Sequence, residues 1–215
     1  MMTVPTQEKR VGRRQQASEE RKLAILRAGL EVFAARGFAA ARLEDVAEKA
    51  GVAKGTIYLF FHDKEDLFEQ IVLGAIRPVL VMIAKTAAAA DTPTDVILER
   101  LFDLFRAEVL GTWRQQVLRL VITEGARFPR IAEFYHREVI VKGLAIIRHL
   151  AQRALARGEL QSDSIARFPQ LVFAPLLLAL IWEGLFSAIE PLDVEGLLTA
   201  HRELLLGGWR RGGRP

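Results

Sequence analysis

The sequence predicts an all-α protein, built as a small N-terminal domain of three helices in a helix-turn-helix arrangement followed by a larger helical body. Apolar side chains recur at three- and four-residue intervals through most of the chain, the period of one helical face. No segment of strand length alternates apolar with polar residues. Glycine stands where two successive patterns stop, at Gly37 and Gly51, positions where a helix C-terminus favours a residue free to turn left-handed.

Residues 1–20 are polar and basic, with Lys9, Arg10, Arg13 and Arg14 close together, and are expected to form a flexible arm; no apolar run of the kind a secretory signal needs comes after them. From Arg21, the face made by Leu23, Leu26, Leu30 and Phe33 predicts a helix that stops at Gly37. A second, short helix runs over Leu43 to Ala50 with Leu43, Val46 and Ala47 inward, and a third over Ala53 to Phe60, anchored by Val52 and Ile57. His62 and Asp63 break that pattern, and Asp63 can cap a long fourth helix from Lys64 towards Ala90, with Glu65 and Asp66 suited to its first turn. Pro78 lies inside this helix and predicts a kink, by loss of a hydrogen bond and ring clash. Thr92 and Pro93 offer a cap and a first-turn proline to a helix over 94–110, and further helices are expected over 113–127, 129–157, 165–188 and 193–207. The resulting organisation is an arm over 1–20, a helix-turn-helix domain over 21–66, a body over 67–207 and a basic tail over 208–215.

With 215 residues, 51% of them hydrophobic, the chain can bury a substantial core. The absence of cysteine excludes a disulfide framework, a thiolate metal site and a cysteine nucleophile, and is compatible with a reducing cytoplasm, where the protein is expected. The nearest approach to a membrane span, Leu171 to Trp182, is too short for a hydrocarbon core of about 30 Å and is flanked by Gln170 and Glu183, so it reads as a buried helix and no membrane partner is expected. The net charge of +4 is modest, so what matters is where the cations gather.

The sharpest local signal lies in Leu43 to Phe61, LEDVAEKAGVAKGTIYLFF. A helix-turn-helix needs a small inward residue so that its helices cross closely, a glycine in the turn and apolar anchors behind the second helix; Ala47, Gly51, Val52 and Ile57 supply these. The second helix then presents Lys54, Gly55, Thr56, Tyr58 and Leu59 outward. Lys54 would neutralise phosphate, Gly55 would let the backbone approach, Thr56 and Tyr58 carry hydroxyls for phosphate or base edges, and Leu59 could touch a thymine methyl. Lys64 adds a charge and free backbone N–H groups at the next helix start, a natural phosphate seat.

Residues 21 to 68 resemble the DNA-binding domain of TetR-family regulators, through Ile25, Ala28, Phe33, Gly37, Phe38, Asp45, Val46, Ala47, Gly51, Val52, Gly55, Thr56, Ile57, Tyr58, Phe61, Lys64, Glu65 and Leu67. The resemblance implies three DNA-binding helices and a C-terminal helical ligand-binding and dimerisation domain, with Ala53 to Phe60 as recognition helix and Lys54, Gly55, Thr56, Tyr58 and Lys64 as DNA contacts. Two departures stand out. Ala41 and Arg42 occupy positions where the family often has threonine or serine, so a guanidinium contact from Arg42 replaces a hydroxyl one; Ala53 replaces a common serine that would cap the recognition helix. Residues 113 to 160, with ITEGARFPRIAEFYHREV and ALARGEL, are similar to the AefR-like group of C-terminal domains in this family. The resemblance thus implies a ligand-responsive regulator, a repressor released from double-stranded operator DNA by a small-molecule effector.

Other chemistry fares worse. GVAKGT, Gly51 to Thr56, lacks the spacing of a phosphate-binding loop and comes after a helix rather than a strand. His62, His136, His149 and His201 show no metal-ligand spacing, and Glu133 with His136 is only an i, i+3 helical pair. The expectation is therefore no enzyme, no cofactor and no metal, with an enzyme, or a helical interaction protein that has lost its operator, as the rival readings.

Reading a palindromic site calls for a homodimer with recognition helices about 34 Å apart, or a multiple of that turn. The interface candidates are Leu171, Leu178, Ile181 and Leu185 on one helix and Leu197, Leu198, His201, Leu204 and Leu205 on the last, forming an intermolecular four-helix bundle, against the alternative that both stripes pack within one subunit. A largely apolar effector cavity is expected among the fourth to eighth helices. Its candidate lining is Trp113, Val117, Leu120, Phe134 and Tyr135, then Leu144, Phe173 and Trp182, with Glu124 and His136 as polar handles.

Overall fold

The computed structural model describes residues 6–160 and 162–210, with side chains described for 15–160 and 162–205. Among these residues every regular element is helical. Helix begins earlier than expected: α1 spans Thr6–Ala40, so the arm predicted over 1–20 is helical from Thr6 onward, and only residues 1–5 of it lie outside the described residues. Residues 15–21 are mostly exposed, and a helix that buries nothing carries no apolar stripe by which periodicity could find it. Leu30 and Phe33 are buried as expected and Leu26 packs against the core, joined by Ile25, Ala28 and Val32, whereas Leu23 is 52% exposed.

Gly37 interrupts α1 with φ 72° and ψ 162°, and that break returns Phe38 to the core, where it meets Phe33 at 5.2 Å and Phe68 at 5.8 Å between ring centroids. α2 covers Leu43–Lys49, and the Arg42 backbone N–H donates to Asp45 Oδ2 at 3.2 Å, half of a capping box. The helix ends in a Schellman turn: the Val52 N–H donates to the Ala47 carbonyl at 3.0 Å and the Gly51 N–H to the Glu48 carbonyl at 3.1 Å, with Gly51 at φ 66°. α3 is regular only over Lys54–Ile57; through Phe60 it tightens into i to i+3 bonds, Leu59 N–H to Thr56 carbonyl and Phe60 N–H to Ile57 carbonyl, rather than forming the eight-residue helix expected.

α4, Lys64–Ala87, is the spine of the molecule. Asp63 caps it by accepting from the Asp66 N–H at 2.7 Å, and Leu67, Phe68, Ile71, Val72, Ala75, Ile76, Val79, Ile83 and Ala87 form one buried stripe against α1 and the helices of the body. By length and composition alone it could cross a bilayer, but that stripe is covered by packing within the chain. The helix continues through Pro78. Gly74, whose carbonyl would have bonded to residue 78, is exposed, as Pro78 is, so the missing bond falls on the solvent side.

α5 spans Thr94–Glu108, and its first N–H, from Thr94, is capped by Glu159 Oε2 at 3.0 Å rather than by Thr92. α6 spans Trp113–Glu124, capped by Thr112. The single helix expected over 129–157 is continuous but contains a π-helical turn, His136–Ile140, between α7, Pro129–Tyr135, and α8, Val141–Ala156. The one expected over 165–188 is broken at Phe168 and Pro169 into α9, Ser164–Arg167, and α10, Gln170–Leu185, because proline forces its predecessor out of helical geometry; Phe168 sits at φ −124° and ψ 65°. α11, Val194–Arg210, runs three residues past the expected end at Gly207, and residues 211–215 of the expected tail lie outside the described residues.

The last two helices are tied by His201, whose Nε2 donates to the Leu171 carbonyl at 2.9 Å while its ring stands edge-on to Phe102 of α5, with ring centroids 6.1 Å apart. Burial pushes the imidazole below its usual 6.5.

Gly51→Ala is expected to lose about 1–2 kcal/mol of unfolding free energy in chemical denaturation, since a Cβ there meets nothing within 4 Å and the cost is wholly conformational. Gly55→Ala, equally open but without positive φ, loses nothing, and equal losses would contradict the Schellman assignment. Because His201 holds fewer protons folded than unfolded, its contribution is complete above about pH 6.5 and is lost as pH falls through the lowered folded value. The melting temperature therefore drops on acidification from pH 8 to pH 5 by less in His201→Gln than in the parent protein, and identical drops would show that His201 plays no part.

Candidate nucleic-acid interface and helical body

The turn after α2 fixes α3 so that Ile57, with no exposed surface, faces the core and half-buried Val52 supports it. The opposite side is open. Lys54, Gly55 and Tyr58 are exposed, Leu59 is 82% exposed, Thr56 is half-buried, and a Cβ at Gly55 would meet nothing within 4 Å. Arg42, at the start of α2, is exposed too, while Ala41 beside it is buried. These six predicted positions lie on or beside the α2–α3 unit with little packing to hold them back.

Glu44, which the sequence pattern does not single out, organises two of them. Lys54 Nζ lies 2.8 Å from Glu44 Oε1, and the Tyr58 hydroxyl donates to the same oxygen at 3.2 Å. Hydrogen bonds from the Lys54 ammonium, from its own backbone N–H and from Tyr58 hold the Glu44 carboxyl down at about 2, and the same pairing raises the Lys54 ammonium. The only signal of this network in the sequence is an acidic residue ten positions before a lysine across a turn, which is too common to stand out.

Lys64 is placed differently. Its Nζ donates to the Phe38 carbonyl at 2.9 Å and the Ala39 carbonyl at 3.0 Å, turning the ammonium toward the end of α1.

In the body, Val117, Leu120, Phe134 and Tyr135 share the central hydrophobic core, and burial pushes the Tyr135 phenol up. Leu144, Phe173 and Glu124 are half-buried, with Phe173 against Phe105 at 6.2 Å and the Glu124 carboxylate against Gly37. Trp113 and His136 lie at the surface. Trp182 points along the end of α10, where its indole N–H donates to the Glu190 carbonyl at 2.8 Å. A small, open surface cleft lies elsewhere, between α5 and α11, lined by Phe102, Asp103, Arg106, Glu195, Leu198, Thr199 and Arg202. None of the predicted effector residues reaches it.

On α10 and α11, Leu171, Leu178, Ile181, Leu185 and Leu204 are exposed, an apolar face with no cover among the described residues; Leu197 and Leu205 are half-buried. Two expected interface residues also make contacts within their own chain: Leu198 is only 7% exposed, being packed toward α5, and half-buried His201 is engaged with Leu171 and Phe102.

Comparison with known proteins matches both halves. Residues 25–71 match the model of bacterial regulatory proteins of the tetR family, and residues 94–200 match a tetracyclin repressor-like C-terminal domain, a description that does not speak to the AefR-like group. The HTH-type transcriptional repressor BepR of Brucella suis is 34% identical over 172 residues, covering 77% of this chain and 78% of that protein. Among solved structures, the fatty acid degradation regulator FadR of Bacillus halodurans superposes with a TM-score of 0.69 at 25% identity, over 88% of this chain and 96% of that one. FadR of Bacillus subtilis, solved in complex with stearoyl-CoA, gives a TM-score of 0.68 at 21% identity over 86% and 98%. A helix-turn-helix with its polar side outward, joined by one spine helix to an all-helical body and matched over both parts, makes this chain a member of the tetR family of bacterial regulatory proteins, DNA-binding transcriptional regulators.

Proposed function

We propose that the protein is a homodimeric, cytoplasmic repressor whose Arg42, Lys54, Gly55, Thr56, Tyr58 and Leu59 meet operator DNA, joined by the backbone N–H groups at Lys64, and that a largely apolar small molecule held in the body releases it. The observation that carries this reading is the outward set on α3, fixed from behind by Ile57 and left free of packing in front. Repression is supported by the name of BepR, and an apolar effector by the stearoyl-CoA bound to FadR of Bacillus subtilis and by the apolar character of Val117, Leu120, Phe134 and Tyr135. The uncovered face of Leu171, Leu178, Ile181, Leu185 and Leu204 fits the dimer contact, and no membrane enters the scheme.

The switch on this reading is one of populations. Effector binds better to a body conformation in which α4 carries the DNA-binding domains away from the spacing of successive major grooves, and operator is lost to the extent that the two affinities differ. An effector that saturates the body and leaves operator affinity unchanged would refute it.

Anisotropy titrations against upstream DNA at several salt concentrations test the DNA face. Lys54→Ala weakens operator and random DNA alike and flattens the slope of log affinity against log salt by about 0.9, the value for one lost phosphate contact; an unchanged slope removes Lys54 from the backbone. Glu44→Gln takes a negative charge from the face and frees Lys54 and Tyr58, so affinity for random DNA rises while the ratio of operator to random binding falls. For the dimer, Ile181→Glu gives monomers in light scattering at micromolar concentration and operator affinity collapses with them; dimers that persist would place the contact elsewhere.

A further inference from the structure

Lys64 is the first residue of α4, the helix that leaves the DNA-binding domain and becomes the spine of the body. Spacing alone would aim it at a phosphate. Its ammonium instead donates two of its three N–H groups to the Phe38 and Ala39 carbonyls, at 2.9 and 3.0 Å, close to where the chain turns from α1 into α2. The same nitrogen stands 4.8 Å from the centroid of the Phe38 ring and 5.9 Å from that of Phe128. Those two rings meet edge to face at 4.9 Å.

The two aromatic residues belong to different parts of the molecule. Phe38 is fully buried in the core of the DNA-binding domain beside Phe33 and Phe68. Phe128 lies in the turn between α6 and α7, in the body. Next to this contact, Glu124 at the end of α6 approaches Gly37 so closely that a Cβ there would lie 3.0 Å from its Oε1. The turn that starts α2, on which α3 packs, is therefore pinned to the α6–α7 turn around one ammonium group.

We infer that the Lys64 side chain is a positioning residue for operator recognition: it fastens the α1–α2 turn to Phe128 of the body and so fixes the angle at which α3 is presented, rather than neutralising a DNA phosphate. An angle matters to a dimer reading two half-sites far more than to a protein touching random duplex, because only the specific complex needs both recognition helices in register. Losing the fastening thus lowers specific affinity and spares non-specific affinity. This role rests on the DNA-facing reading of α3, and Lys54→Ala serves as the control for that reading.

The test uses the full-length dimer and an operator selected by the parent protein from random DNA. Operator affinity, random-DNA affinity and salt slope are measured for Lys64→Met, Phe128→Leu and the double variant, below the melting temperature of each. Lys64→Met is expected to weaken operator binding at least about tenfold, the equivalent of one charge-assisted hydrogen bond, with random-DNA affinity and salt slope unchanged. Phe128→Leu does the same in smaller measure, and the double variant is no worse than Lys64→Met alone, since both cut one link. Parallel losses on operator and random DNA with a slope flatter by about 0.9 would make Lys64 a phosphate contact, and unchanged operator affinity in the folded variants would make it a packing residue only; either result overturns the inference. Should Lys54→Ala leave the slope untouched, it is the reading of the α3 face that fails, independently of the Lys64 result.

Discussion

The burial of Phe38 is the constraint on which the remaining geometry depends. Gly37, at φ 72°, lets the chain leave α1 in a direction no L-residue adopts readily, and the next side chain re-enters the core between Phe33 and Phe68 while touching Phe128 across the seam. Once Phe38 is seated, the start of α2 is fixed, the Schellman turn at Gly51 sets the direction of α3, and α3 has only one face left to present. Four regular residues cannot hold a helix in water. α3 exists because Ile57 and Val52 are held from behind, so the residues in front are not needed for packing and are free to be chosen for contact.

That freedom is limited by Glu44. An exposed ion pair contributes little to stability, because solvent screens it and two long side chains must be ordered. The worth of Glu44 lies in geometry: it gathers Lys54 and Tyr58 onto one oxygen and leaves an anion at the surface that a polyanion must displace or avoid. On the DNA-facing reading proposed above, any duplex would meet that repulsion, whereas only a duplex with well-placed acceptors would recover the two donors. On that reading, the same group that lowers overall attraction would widen the gap between right and wrong sequences.

Legibility in the sequence tracks the range of the interaction. Ala47, Gly51, Val52 and Ile57 can be read because a helix-turn-helix is a local object whose requirements fall within a dozen residues, and the Asp63 cap is readable for the same reason. The cap of α5 is not, since Glu159 supplies it from 65 residues away. Position alone assigns Lys64 to a phosphate, but a lysine side chain has several rotatable bonds, and tertiary carbonyls decide its direction. Leu198 reads as an outer-face residue because a stripe at helical spacing has no marker for which of two partners it meets. The helix over 6–20 escapes detection because its polar, basic sequence carries no apolar period, whereas the break at Pro169 is open to the simple rule that a residue preceding proline avoids helical geometry. Of the effector lining, Val117, Leu120, Phe134 and Tyr135 do share one core, yet spacing cannot tell a lining residue from a core residue.

Besides the packing of α1 on α6, two attachments of different character tie the DNA-binding domain to the body. One is α4 itself, continuous through Pro78 and gripped there by Arg114, whose Nε donates to the Ala75 carbonyl at 2.9 Å while its Nη1 holds Glu108 of α5 by backbone and carboxylate. The other is the contact of Phe128 with Phe38 and Lys64. A single continuous helix would leave the domain able to twist about its axis and bend at the proline; a second attachment away from that axis removes both freedoms. Close-packed interiors do not deform smoothly, so an altered body either carries both attachments to a new arrangement or breaks the weaker one. The weaker is the side-chain contact, since it can part without unwinding a helix, and on the switch proposed above that seam, rather than the spine, is where release would begin.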